Sequence, residues 1–97
     1  MKQKKVILEK LIEEQNLLKK EYQVKTIGIF GSYARDEQAE TSDIDVLVEF
    51  EGPIGFFKFM KLENYLSEKL GIKVDLVTPD ALKLLIKSDI IQETVYA

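Results

Sequence analysis

The 97-residue chain contains no cysteine and no histidine. The first absence excludes a disulfide framework and a thiolate metal site. The second removes the commonest general base, the Ser-His-Asp triad and histidine-bound zinc. A metal, if one is used, must be held by oxygen, which points to Mg2+, Mn2+ or Ca2+. No apolar run approaches the length of a membrane span. The opening MKQKKVILEKLIEEQ turns charged too soon for a signal peptide. A cytoplasmic protein with no membrane contact is expected. Arginine occurs once, at Arg35, against thirteen lysines.

What is present is an ordinary globular mixture, 45% hydrophobic and 32% charged. That is enough for one small domain, residues 1–97, with one core of modest stability. The net charge of −3 is unevenly spread. Residues 1–25 hold seven lysines and four acids, and residues 26–97 hold seven basic and thirteen acidic groups. The lysines of the start are interleaved with glutamates, which reads as a solvated helix face. No basic stripe of the kind nucleic acid requires is present, so no direct nucleic-acid contact is expected.

Leu8, Leu11, Leu18 and Tyr22 keep helical spacing, and residues 3–21 are expected to form a first helix. The β-branched run 25–30 reads as a strand, broken by Gly31-Ser32. Ser32 is the expected N-cap of a short helical stretch over 33–38. A second strand covers 43–50, and 51-EGPIG-55 is a turn. A helix over 55–70 is expected to point Phe56, Phe59, Met60, Leu66 and Leu70 at the core and to stop at Gly71. A third strand covers 72–77. Pro79 suits the first turn of a last helical region that breaks near residues 87–89 and runs apolar to Ala97. Phe56 and Phe57 are neighbours on one helix, so both cannot face one core. With the end of the last helix, they are candidates for a partner surface. The pattern is an α/β domain, helices packed on a three-stranded sheet.

Chemistry concentrates in 30-FGSYARDEQAETSDIDVLVEF-50. Alternate residues of a strand share a face and lie about 6.6–7 Å apart. Asp43 and Asp45 therefore point one way, and Ile44, Val46 and Val48 point the other way into the core. Two such carboxylates can bracket one or two divalent cations. Without a cation they repel and raise each other's pKa. Asp75 has the same setting in 73-KVDLV-77 and joins the site if its strand neighbours 43–50. It could also accept a proton from an attacking hydroxyl. The Gly31-Ser32 turn offers backbone N–H groups and a hydroxyl to phosphate, and Arg35 lies one turn on, in reach of a two-pronged contact. Taken singly, each feature has a plainer reading: a turn, a solvated strand face, an ion pair of Arg35 with Asp36 or Glu37. Taken together, they specify phosphoryl-transfer chemistry.

Gly31-Ser32, ten residues and Asp43-Ile44-Asp45 resemble the Gly-Ser…Asp-x-Asp signature of the polymerase-β-type nucleotidyltransferase superfamily. The longer pattern, through Tyr33-Ala34-Arg35 and Ser42 to Val48, is similar to the minimal nucleotidyltransferases, the MNT partners of HEPN–MNT toxin–antitoxin pairs. The resemblance implies the minimal nucleotidyltransferase fold with a mixed three-stranded sheet. It implies transfer of AMP from ATP, with two Mg2+ ions, to a tyrosine of a HEPN ribonuclease toxin in a hetero-oligomer. By position, Asp43, Asp45 and Asp75 would be catalytic and hold the metal, Gly31 and Ser32 would bind the β- and γ-phosphates, and Arg35 would assist them. The family usually has glycine where this chain has Asp36. The alternatives are an antitoxin that acts by binding alone and a nucleotidyltransferase of small molecules such as antibiotics.

Overall fold

The computed structural model describes residues 3–39 and 42–97, apart from the side chains of residues 84 and 85. The first helical region is two helices, α1 (Lys4–Glu13) and α2 (Gln15–Tyr22), not one. They meet at Glu14, whose carboxylate is drawn across to accept a 2.6 Å hydrogen bond from the Tyr65 hydroxyl. Strand β1 (Val24–Phe30) follows, then a four-residue helix α3 (Gly31–Ala34). Strand β2 (Ile44–Phe50), helix α4 (Phe56–Leu70) and strand β3 (Val74–Val77) come next. A 3-10 turn (Pro79–Ala81), helix α5 (Leu84–Glu93) and strand β4 (Val95–Tyr96) complete the chain.

The sheet is mixed, as expected, but has four strands in the order β3-β2-β1-β4. β1 is antiparallel to β2 and β4, and β2 is parallel to β3. The fourth strand is the segment expected to prolong the last helix. α5 ends at Glu93, and Thr94 is extended. Val95 and Tyr96 then pair with Ile29 and Gly28. Gly28 allows this, because a Cβ there would stand 2.7 Å from the Val95 carbonyl oxygen and 2.8 Å from Thr94 Cγ2. A glycine inside a strand marks such close backbone approach. The break in the last helical region also falls earlier than expected, at Leu82 and Lys83, which are extended.

The core lies on one face of the sheet. Ile27 and Ile29 of β1, Ile44, Val46 and Val48 of β2, and Val74 and Leu76 of β3 are buried there with Ile7, Leu11, Leu62, Leu66 and Leu70 of α1 and α4. The alternation in β2 is as read from the sequence. Of the expected core face of α4, Leu66 and Leu70 are buried and Phe59 packs against the core, joined by Leu62, while Phe56 is 70% and Met60 43% exposed. Phe57 is 84% exposed. α4 also covers the outer edge of β3, where Ser67 Oγ and Glu63 Oε2 accept the Val74 and Leu76 N–H groups at 2.9 Å. That edge is thereby withheld from further pairing. Among the described residues, no helix is long and apolar enough to cross a membrane.

Candidate active site

The opposite face of the sheet carries the acids. In the register of the sheet Phe30 faces Asp45, and Asp45 faces Asp75. Directly paired residues of adjacent strands stand about 4.8 Å apart and share a face. β2 and β3 therefore bring Asp45 and Asp75 side by side, although thirty residues separate them. Asp43 lies just before β2, exposed, and close enough that its charge acts on Asp45. Desolvation is the first cause that raises the pKa of half-buried Asp45 above the ordinary carboxylate value. Repulsion from Asp75 and Asp43 adds to it, Arg35 offsets part, and Glu93 adds again. Of the repulsion expected between Asp43 and Asp45, the effect on Asp45 is present, and Asp75 exceeds Asp43 in it.

The turn at the end of β1 meets Asp45 directly. Gly31 has φ +71°, a conformation that L side chains adopt only under strain. The position a Cβ would take is filled by the Asp45 carboxylate, with Oδ2 in contact and Cγ at 3.2 Å. Glycine is required here twice over, for its dihedral and for the absent side chain. Helix α3 begins at Gly31, one residue before the expected Ser32 cap, and Phe30 stands at the cap position with no capping side chain. Ser32 is thus the second residue of α3, and residues 35–38, expected to be helical, lie beyond its end.

Arg35 closes α3 and is exposed. Its Nε donates to Glu37 Oε2 at 3.2 Å, the plain ion pair named above, though with Glu37 and not Asp36. Its NH1 donates to both oxygens of Glu93, at 3.3 and 3.1 Å. Glu93 Oε1 also accepts the Gly31 N–H at 3.1 Å. Glu93 is the site residue that sequence reasoning missed; its contact spans 62 positions and depends on where α5 ends. Asp36 occupies a left-handed conformation, φ +57°, which accounts physically for a glycine preference at that position. Its carboxylate turns outward to Lys4 Nζ at 3.2 Å, and the same ammonium donates to the Ala34 carbonyl. The acid is thus neutralised by α1.

The donor set fits a hard divalent cation: carboxylate oxygens only, held near one another at the cost of repulsion. Among the described residues, no three such side chains form a ready-made metal cluster. Magnesium is ordinarily bound by one or two carboxylates together with substrate phosphates, so an incomplete cage of this kind suits it. Three surface concavities, of 220, 330 and 470 Å3, have none of these acids in their linings. Asp43 and Asp75 stand exposed.

The geometry of turn and paired acids has a counterpart in known proteins. The model of the nucleotidyltransferase domain family matches residues 7–97. The chain belongs to that family. A provisionally named protein adenylyltransferase of Methanocaldococcus jannaschii is 48% identical over 97 residues, covering 99% of each chain. The protein adenylyltransferase MntA of Thermococcus cleftensis is 46% identical over 79 residues, covering 81% of this chain and 80% of its own. A crystal structure of a toxin–antitoxin complex with AMP-PNP contains a chain of the same fold. Its TM-score is 0.73 at 25% identity, with coverage of 91% of this chain and 69% of that one. This nucleotidyltransferase therefore has the fold and the enzyme class that its Gly-Ser…Asp-x-Asp pattern implied.

Proposed function

We propose that this nucleotidyltransferase is an antitoxin that transfers AMP from ATP to a tyrosine of a HEPN ribonuclease toxin and silences it by that modification. The observation that carries the reading is the junction at Gly31, where the turn suited to phosphate touches Asp45, and Asp45 is paired with Asp75. The named relatives and the toxin–antitoxin fold match support the protein acceptor. Gly31 N–H, Ser32 Oγ and Arg35 hold the terminal phosphates of the nucleotide. Asp43 and Asp45, with Asp75 beside them, would hold Mg2+. When bound, the ion would supply positive charge to the phosphate oxygens.

In the transfer, the acceptor oxygen bonds to the α-phosphorus, the bond from that phosphorus to the bridging α–β oxygen breaks, and pyrophosphate leaves. Asp75, exposed and in register with Asp45, takes the proton of the acceptor hydroxyl. The acceptor's own surroundings are brought by the toxin, since the described acids stand at the surface. Calorimetric titration with Mg-AMP-PNP tests the site. Wild type is expected to bind, and Asp45→Asn and addition of EDTA are each expected to weaken binding at least tenfold. Equal affinity in all three conditions would refute the metal–nucleotide assignment. Binding without transfer to any toxin would favour the binding-only antitoxin or a small-molecule acceptor.

A further inference from the structure

Glu93 occupies the place that the proposed function gives to phosphate. Its carboxylate accepts from the Gly31 N–H at 3.1 Å and from Arg35 NH1 at 3.1 and 3.3 Å. These are two of the three groups assigned to the terminal phosphates. A carboxylate and a phosphate ask for the same thing, a backbone N–H and a guanidinium N–H, and both cannot have it at once. Glu93 comes from the opposite end of the chain, at the junction of α5 and β4. β4 is anchored to β1 at Gly28 and Ile29, three and two residues before Gly31. The carboxylate is therefore held at the turn by the fold, not by local sequence.

We infer that Glu93 is a resident anion of the triphosphate subsite, which the nucleotide must displace from Gly31 and Arg35 to bind. The inference rests on the nucleotide reading of the site and adds its regulation: Glu93 competes with nucleotide and frees Arg35 only when a more highly charged phosphate arrives. Arg35 then exchanges one carboxylate for phosphate and keeps Glu37 at its other edge. The groups that hold Glu93 are Gly31 and Arg35, and the nearby like charge that acts between site and clamp is that of Asp45 on β2.

Glu93→Gln tests this, because glutamine keeps the length and one acceptor oxygen but not the charge. Mg-AMP-PNP and AMP are titrated into wild type and Glu93→Gln by calorimetry, with thermal melts to establish that both are folded. The variant is expected to bind Mg-AMP-PNP about two- to fivefold more tightly, the range a partly exposed ion pair supports. AMP lacks the phosphates that reach the turn, so its affinity is expected to change less than twofold. Equal or weaker binding of Mg-AMP-PNP by the variant overturns the inference and makes Glu93 a structural brace of Arg35. An equal gain for AMP also overturns it, since a general charge effect would then suffice. Glu93→Ala, which removes both oxygens, is expected to act in the same direction. Failure of wild type and variants alike to bind Mg-AMP-PNP refutes the nucleotide site itself, and the competition falls with it.

Discussion

Gly31→Ala should damage this protein at its active centre far more than in its fold. Two effects can be separated. The left-handed dihedral of +71° costs an L-residue about 1–2 kcal/mol. The new methyl group would also occupy the place of the Asp45 carboxylate, whose Oδ2 touches that position and whose Cγ lies at 3.2 Å. The carboxylate is the far end of a side chain on a half-exposed strand position, so it rotates away at small cost to stability. It cannot rotate away and still stand beside the phosphate turn. The melting temperature is therefore expected to fall by roughly 5–15 °C. Mg-AMP-PNP binding and AMP transfer at a temperature where the variant is fully folded should fall by at least about a hundredfold. Gly52→Ala is the control: nothing lies within 4 Å of a Cβ there and its φ is not left-handed, so a change under about 0.5 kcal/mol is expected. Thermal melts and calorimetry on the two variants suffice. A Gly31→Ala protein that melts like wild type and binds nucleotide normally would refute the argument from the turn.

Asp45→Asn should leave the metal-free protein at least as stable as wild type, because it removes a carboxylate that burial and three nearby acids disfavour. The folded-state pKa of Asp45 is raised, so the stability associated with its proton is complete below about pH 4 and lost as pH rises through the folded value. The advantage of the variant should grow over that rise and then level off; melts across pH check it, and a difference that shrinks with pH would contradict it. Arg35→Lys keeps the charge but loses the fork, and is expected to weaken Mg-AMP-PNP binding several-fold; unchanged affinity by calorimetry would make Arg35 a surface ion-pair residue only. Tyr65→Phe removes the hydrogen bond to Glu14 and should cost about 1 kcal/mol, after allowance for exposure. The Tyr65 pKa is pushed up to about 12, chiefly by that bond. The extra stability should therefore be present below about pH 10 and lost towards pH 12, which denaturant titrations of both proteins can resolve.

The acids of the site were legible because strand geometry is periodic. A two-residue repeat fixes which side chains share a face, so Asp43 and Asp45 could be grouped without knowing the fold. Asp75 required one more step, the adjacency of its strand to β2, and the parallel register supplies it. The strong core of β2 came from the same alternation. What could not be read was decided by contacts distant in sequence. Thr94 to Ala97 continue the apolar pattern of α5, and only β1, with Gly28 leaving room for a second backbone, makes them a strand. Glu14, where α1 meets α2, accepts a hydrogen bond from Tyr65, 51 residues away, which no local pattern announces. Phe56 and Met60 lie on the helical spacing of a core face, yet the packing of Leu62, Leu66 and Leu70 turns that face elsewhere. Glu93 carries no local signal at all; its role follows from the length of α5 and the anchorage of β4. Asp36 is the reverse case, a departure from a family pattern that the structure resolves through its dihedral and its pairing with Lys4.

The central claim is transfer of AMP to a protein by the acids beside Gly31. Its most direct test is intact-mass spectrometry of a co-expressed HEPN toxin, after incubation with the chain and Mg-ATP. The expected result is a toxin heavier by one or more AMP residues, with the modification mapped to tyrosine, and no mass change with Asp45→Asn or with EDTA. A toxin of unchanged mass that is nevertheless held and inhibited by the wild-type chain would contradict the account and leave neutralisation to binding alone.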